Sequence, residues 1–405
     1  MKIACVGGGP ASLFFAILMK RETPACDVTV YERNPAGTTY GWGVTYSDDL
    51  RDNLRFADPE TARAVIDNSV SWGEWLVHLP ERPGLVMNDE YGGYGISRHR
   101  LLDILTERAL ALGVRIETER TVTGLADVAD ADLVVAGDGA GSVLREHHAE
   151  QFGTEIEVGR NPYIWLGTTK VFDAFAFAFA ETEHGWVWCY GYKYSDQYST
   201  AVVECGPDTW TGLGFDRMPQ AECLALLEKL FAGILDGHPL MGQEAADGTA
   251  RWLNFRTVTN RAWSHDNIVL LGDAAHTTHY SVGLGTALAL GDAAVLALSL
   301  HQEPTLAAAF ARYERERKDE VVMEQRAAGY SARWFEELHR YIDLPTKQLL
   351  ALLSFRHSSV LPHLPPRVYY GLGWTASKFL SVTGIRRRLL ARVQRERLSQ
   401  ATQTR

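Results

Sequence analysis

Cysteine is scarce in this chain. Five of the 405 residues are cysteines (Cys5, Cys26, Cys189, Cys205 and Cys223), and no two of them form a C-x-x-C pair. That scatter argues against a thiol-redox motif, a disulfide framework and a zinc site. An excess of positive charge is also lacking. Forty Lys and Arg stand against 50 Asp and Glu, a formal charge of −10, which excludes a general nucleic-acid binder with its basic stripe. No run of about 18 apolar residues suggests a membrane span. Met1 leads straight into a strand, with no basic and apolar regions of a signal peptide, so the expected location is cytoplasmic.

Aromatic residues are plentiful, with 11 Trp and 16 Tyr, and suit an aromatic-lined pocket as well as ordinary core. The pattern along the chain predicts an α/β fold. Lys2-Ile3-Ala4-Cys5-Val6 reads as a strand, residues 13–20 as a helix, and Val28-Thr29-Val30-Tyr31 as a second strand, a βαβ opening. Residues 36–60 read as loop, and 98–112 as an amphipathic helix. From about 160 to 206, aromatic and small residues alternate as in antiparallel strands with one face buried. Residues 267–271 return as a core strand before a helix over 285–300, and the remainder reads as helical. The expected architecture is a Rossmann-like nucleotide-binding fold (1–155 and 250–335) interleaved with a β-rich substrate domain (156–249). A helical C-terminal segment (336–405) follows.

Three turns carry the chemistry. Gly7-x-Gly9-x-x-Ser12 follows the first strand and opens the first helix. There Gly7 permits the tight turn, Gly9 lets the backbone approach a pyrophosphate, and the third position lets helix and strand pack closely. The helix N-terminus then offers free N–H groups to the phosphates. Glu32 lies 23 residues beyond Gly9, near the ~20 expected of a ribose-binding acid. Asp138-Gly139 and Gly272-Asp273-Ala274-Ala275-His276 each follow a strand, where α/β sheets place ligands.

With these motifs the sequence resembles the single-component FAD aromatic hydroxylases of the para-hydroxybenzoate hydroxylase type. Three further stretches narrow the likeness: 41–48 (GWGVTYSD), 160–168 (RNPYIWLGT) and 279–286 (HYSVGLGT). They are similar to the salicyloyl-CoA and anthraniloyl-CoA hydroxylases and to the tryptophan-ring hydroxylase of violacein biosynthesis. The resemblance covers roughly residues 1–300. His279-Tyr280 stands where most of these hydroxylases have Pro-Pro and this subgroup usually has His-Phe.

The resemblance implies FAD as cofactor, NADH or NADPH as reductant, and O2 as co-substrate, with oxygen reaching an electron-rich ring through a C4a-hydroperoxyflavin. Gly7, Gly9, Pro10, Ala11 and Ser12 would meet the FAD pyrophosphate. Glu32, with Arg33 beside it, would take the adenosine ribose, and Arg98 the phosphates or ribityl chain. Asp273 would hold the ribityl–phosphate region, and Gly283, Leu284 and Gly285 would lie beside the isoalloxazine. His279 and Tyr280 are the catalytic candidates, His279 either as the acceptor of a phenolic proton or as a loop residue that shapes the pocket. Tyr46, Trp165, Tyr190 and Tyr192 are candidate pocket walls, or core. Asp138 is structural or touches the nicotinamide, and His276 is structural. The aryl-CoA relatives imply an aryl thioester on CoA or a carrier protein, which the arginines at 386–388, 392, 395 and 397 would meet. A free indole-type ring and a flavoprotein reductase are the alternatives.

Overall fold

Ile3, Ala4, Cys5 and Val6 are all buried, which leaves the Lys2–Val6 strand no solvent face. An apolar strand covered on both sides belongs at the centre of a parallel sheet. In the computed structural model, which describes residues 1–377 except Tyr40, Glu244 and Ala246, it lies between Asp27–Tyr31 and Leu133–Ala136, parallel to both. Ile268–Leu270 joins parallel to Leu133–Ala136, and Arg115–Glu117 parallel to Asp27–Tyr31; Ser264–His265 adds an antiparallel edge to complete six strands. The helix Pro10–Glu22 starts with proline in its first turn, where a missing N–H costs nothing. It buries every residue from Ala11 to Met19 and packs against the helices Gly285–Gln302 and Arg98–Ala111.

The second sheet has nine strands. Its centre is antiparallel: Thr154–Thr168, Ser199–Cys205, Gly185–Lys193 and Phe175–Thr182 in that spatial order. Side chains alternate between faces along each strand, and here the two faces differ in chemistry. Ala176, Ala178, Val187, Cys189, Ala201 and Val203 share a core with Leu227 and Phe231 of the following helical stretch. The other face carries Phe175 and Phe177, Trp188, Tyr190 and Tyr192, Tyr163 and Trp165, and Glu204. Cross-strand pairing aligns Tyr163, Glu204, Trp188 and Phe179 in one row.

Residues 36–60 differ from the expected loop, since they hold the strand Gly43–Tyr46 and the helix Asp48–Ala57. The strand is four residues long, too short for alternation to register, and its partner Arg82–Ser97 lies far along the chain. With Val70–Leu79, these strands join the nine-stranded sheet, so the stretch 1–155 contributes to both sheets. Met1–Ala332 forms one compact unit and Arg333–Arg405 another. Within the second, Trp334 stacks on Tyr341 at 4.7 Å, and Arg340 donates to the carbonyls of Pro362 and Leu364. The helices Thr346–Ser354 and Pro366–Ser377 agree with the helical reading. The arginines at 386–388, 392, 395 and 397 lie outside the described residues. No helix among the described residues is long and apolar enough to cross a membrane.

A buried ion cluster holds the last motif in place. Asp292, in the middle of the apolar helix Gly285–Gln302, accepts from Arg317 at 2.8 Å and pairs with His276 Nε2 at 2.7 Å. Trp263 covers the imidazole at 5.1 Å between centroids. Removing one partner of such a cluster strands the others in low dielectric. Asp292→Ala should therefore cost about 3–5 kcal/mol in urea unfolding; a loss below about 1 kcal/mol would show that the cluster is not a clamp.

Candidate active site

The nucleotide end of the site is built by close approach. Gly7 has φ +92°, and a Cβ there would sit 2.7 Å from the Gly137 carbonyl oxygen and from Asp138 Cα. Only glycine lets the turn pass the end of the neighbouring strand. Glu32 then fixes the turn: Oε2 accepts from the Gly8 N–H at 2.7 Å, and Oε1 from the Asn34 backbone and side-chain N–H groups at 2.9 and 2.6 Å. Oε1 is filled by two donors, while Oε2 keeps a lone pair for a ribose hydroxyl. The helix Pro10–Glu22 has no side-chain cap and no acid in its first turn, which leaves its positive end to an anion. Arg33 is exposed beside this end. Ser12 is completely buried, its hydroxyl has no hydrogen-bond partner among the described residues, and it packs against Gly137. Its side chain serves helix–strand packing, while its backbone N–H lies in the helix's first turn.

Two charges of opposite sign occupy the middle. Arg98 is lowered by burial and attracted by Asp273 and Glu32, and it donates to Thr39 Oγ1. Asp273 is open at its own surface yet ringed by protein, so desolvation raises it while His276 and Arg98 hold it down. An exposed carboxylate beside a partly buried arginine can accept from the hydroxyls of a bound polyol. Arg145, which the sequence reading missed, is fully buried and donates to the carbonyls of Ala140 and Ala274, tying the Asp138 and Asp273 loops together. Asp138 Oδ2 accepts from the Val143 N–H at 2.8 Å, while Oδ1 is buried with no partner among the described residues. A glycine turn closed to side chains, a free helix N-terminus, a cation between two acids and a polyol acceptor together fit FAD.

At the far end the loop 279–285 faces the aromatic side of the nine-stranded sheet. Gly283 turns it with φ +66°, and a Cβ there would lie 2.5 Å from Thr45 Oγ1. Leu284 and Gly285 begin the next helix, both partly open. His279 accepts from the Ser281 N–H through Nδ1, which also lies 2.9 Å from Ser281 Oγ, and its ring contacts Phe255 and Tyr280. Burial pushes His279 down to about 3. Burial thus favours the neutral imidazole, and Ser281 holds its ring within the 279–285 loop.

Tyr280 and Tyr190 meet a residue that the sequence reading did not single out. Glu204, 1% exposed, accepts from Tyr280 at 2.6 Å, Tyr190 at 3.0 Å and Asn161 Nδ2 at 2.8 Å. Burial raises it to about 7 despite these bonds. The signal was a carboxylate inside the apolar run Ala201-Val202-Val203-Glu204-Cys205, where an unpaired charge is costly. Trp165 has an indole N–H without a partner among the described residues, under the 41–43 segment. Tyr192 donates to the Gly43 carbonyl and stacks on Phe175 at 5.5 Å, so it joins the sheet to the Gly43–Tyr46 strand. Tyr46 is no pocket wall: it is 5% exposed in the main core and donates to Ser69 Oγ at 2.6 Å.

Because folded Glu204 binds its proton more tightly than an unfolded glutamate, its contribution to stability is present below pH 4.5 and is lost as pH rises to about 7. The loss is on the order of 3 kcal/mol. Glu204→Gln is free of it, so its Tm relative to the unsubstituted protein should climb between pH 5 and pH 8. A Tm difference independent of pH would contradict the raised carboxyl.

Comparison with known proteins agrees with this geometry. Residues 112–325 match the model of a family described as FAD binding domain. The chain is 38% identical over 362 residues to a salicyloyl-CoA 5-hydroxylase of a Streptomyces species, covering 86% of this chain and 68% of the relative. It is 37% identical over 360 residues to the 3-hydroxy-4-methyl-anthranilyl-[aryl-carrier protein] 5-monooxygenase of Streptosporangium sibiricum, covering 89% and 95%. A protodeoxyviolaceinate monooxygenase of Chromobacterium violaceum is 29% identical over 385 residues, covering 93% of this chain and all of the relative. Among solved structures, 2-methyl-3-hydroxypyridine-5-carboxylic acid oxygenase shares the fold with a TM-score of 0.67 at 19% identity, over 91% of this chain and 95% of that one. A motif set, a cleft and relatives that coincide over most of the chain lead to one conclusion: the protein belongs to the FAD-dependent aromatic monooxygenases.

Proposed function

We propose that this monooxygenase hydroxylates an electron-rich ring carried as an aryl thioester, on CoA or a carrier protein, with NADH or NADPH as reductant and O2 as oxidant. The observation that supports it most is the packing of Tyr280, from the loop 279–285, against Tyr163 and Tyr190 of the aromatic sheet face, with Asp273 close to Tyr163. Two relatives above 30% identity bear names with CoA- and carrier-bound aryl substrates.

Bound FAD supplies hydride acceptance and the activation of O2. The chain's own residues bind, orient and exclude. The turn of Gly7, Gly9, Pro10 and Ala11 meets the diphosphate with backbone and helix end, while Glu32 takes the adenosine ribose. Arg98 neutralises phosphate charge, and Asp273 accepts from ribityl hydroxyls. Gly283, Leu284 and Gly285 present backbone to the isoalloxazine. The aromatic face keeps water from the reacting centre and holds the ring at reactive distance. His279, neutral throughout, keeps the loop in shape through Ser281.

The roles of Arg98 and Asp273 are tested by affinity. Arg98→Ala or Asp273→Ala should weaken FAD binding at least about tenfold in fluorescence titration, the loss of one charge-assisted bond; an unchanged Kd would remove that residue from the cofactor site. The reaction is tested by NAD(P)H oxidation with and without salicyloyl-CoA and anthraniloyl-CoA. Acceleration by a thioester, with ¹⁸O from O2 in the product, is the expected outcome. Acceleration only by free indole-type rings would move the substrate to the violacein-like class, and turnover without oxygen would overturn the monooxygenase reaction.

A further inference from the structure

Two hydroxyl protons from distant parts of the chain end on one carboxylate oxygen. Tyr280 O–H donates to Glu204 Oε2 at 2.6 Å, and Tyr190 O–H donates to the same oxygen at 3.0 Å. Asn161 Nδ2 occupies Oε1 at 2.8 Å. Trp188 Nε1 donates to the Tyr190 oxygen at 3.1 Å, so Tyr190 is held from both sides. A phenol has one proton to give. Once Tyr280 has committed its proton to Glu204, only its lone pairs remain for the cavity. Glu204 is buried, whereas Tyr280 is partly exposed.

We propose that Glu204 is a specificity-positioning residue: by taking the Tyr280 proton it makes the Tyr280 oxygen an obligate hydrogen-bond acceptor, so that the site prefers a ring bearing an O–H or N–H donor over the same ring with that donor methylated. The inference deepens the proposed function and rests on the ring lying against Tyr280, but not on the substrate being a thioester. A ligand without a donor leaves the Tyr280 oxygen desolvated and unpaired, and that asymmetry is the source of strong discrimination by polar sites.

The charge distribution around Glu204 supports this polarity. The titratable groups that face it from the surrounding strands and loop are Tyr163, Tyr190 and Tyr280, while the Cys205 thiol points into the core on the opposite face of the strand; the hydrogen-bond partners of Glu204 among the described residues include no cation. Burial pushes Tyr163 up to about 12 and Tyr280 well above its ordinary value. Both tyrosines therefore keep their protons, and the negative charge rests on Glu204. Protonation of Glu204 reverses the arrangement. The neutral acid has a proton of its own to donate, and Tyr280 becomes free to turn its O–H toward the cleft. Because Glu204 titrates near 7, donor preference should be strong at pH 8 and weaker at pH 6. His279, at about 3, does not titrate in that range.

Phenol and anisole test this with the FAD-loaded enzyme, because neither needs a thioester site and phenol stays un-ionised from pH 6 to 8. Each is titrated against the flavin absorbance spectrum. At pH 8 the Kd of anisole should exceed that of phenol by about tenfold, the equivalent of one unmet hydrogen bond. In Glu204→Leu the ratio should fall to about twofold or less. Glu204→Gln can turn its carbonyl to the tyrosines and its amide to a flipped Asn161, so it should keep the preference and lose the pH dependence. That rescue, with the pH profile, separates polarity from mere support of the fold, and it decides the matter if the leucine variant loses FAD or its circular-dichroism signature. An unchanged ratio in a folded leucine variant, a wild-type ratio flat between pH 6 and 8, or a glutamine variant with wild-type pH dependence would each overturn the proposal. So would failure of the wild-type enzyme to bind either ring. A protein that ignores aryl-CoA yet shows the phenol preference would lose the thioester reading and keep this one.

Discussion

Parallel register at the centre of the six-stranded sheet is the constraint on which the site depends. Val6 pairs with Ala136, and Ala136 with Leu270, so three strands end at one level. The turns that follow them (Gly7, Gly137-Asp138 and Gly272-Asp273) therefore emerge side by side although they are far apart in sequence. Every later contact presumes that alignment. Gly7 must be glycine because Gly137 and Asp138 are already there. Arg145 can bridge Ala140 and Ala274 because both loops reach it at the same height.

The second sheet solves a different problem. An enzyme for aromatic rings needs an apolar wall that still holds a few polar groups at set positions. Strict alternation supplies it: small residues on one face let helices pack closely, and large aromatics gather on the other, Tyr163 and Tyr190 against Tyr280. Glu204 obeys the same alternation and so arrives on the aromatic face, beside Tyr163 and Trp188. Its desolvation is offset by three donors, two of them tyrosines that the alternation and the 279–285 loop deliver. The buried cluster of Asp292, His276 and Arg317 plays the corresponding part for the Asp273 turn.

The family resemblance was carried by short local motifs, and for a physical reason. A phosphate-binding turn is made by consecutive residues, so its requirements for glycine and for a following helix are written in consecutive positions. Glu32 was legible for the same reason, because strand and helix lengths in a βαβ unit are narrowly set. The Gly43–Tyr46 strand was not, since what makes it a strand is Arg82–Ser97. Ser12 was placed at the ligand by position in a motif, while its side chain points into the helix–strand contact. Tyr46 was a plausible wall by composition, yet Ser69 and the core claim it.

The sequence by itself determined the class of fold, the cofactor turns and the membership in a flavin-dependent family, because those depend on local periodicity and local backbone chemistry. Tertiary structure alone decided which aromatics pack against the 279–285 loop, that burial favours a neutral His279, and that Glu204 gathers the protons of Tyr190 and Tyr280. Burial and hydrogen-bond partnership are properties of residues brought together from distant segments. A carboxylate in a β-strand has the same side chain whether it faces solvent or two phenols; its surroundings alone set its charge and its role.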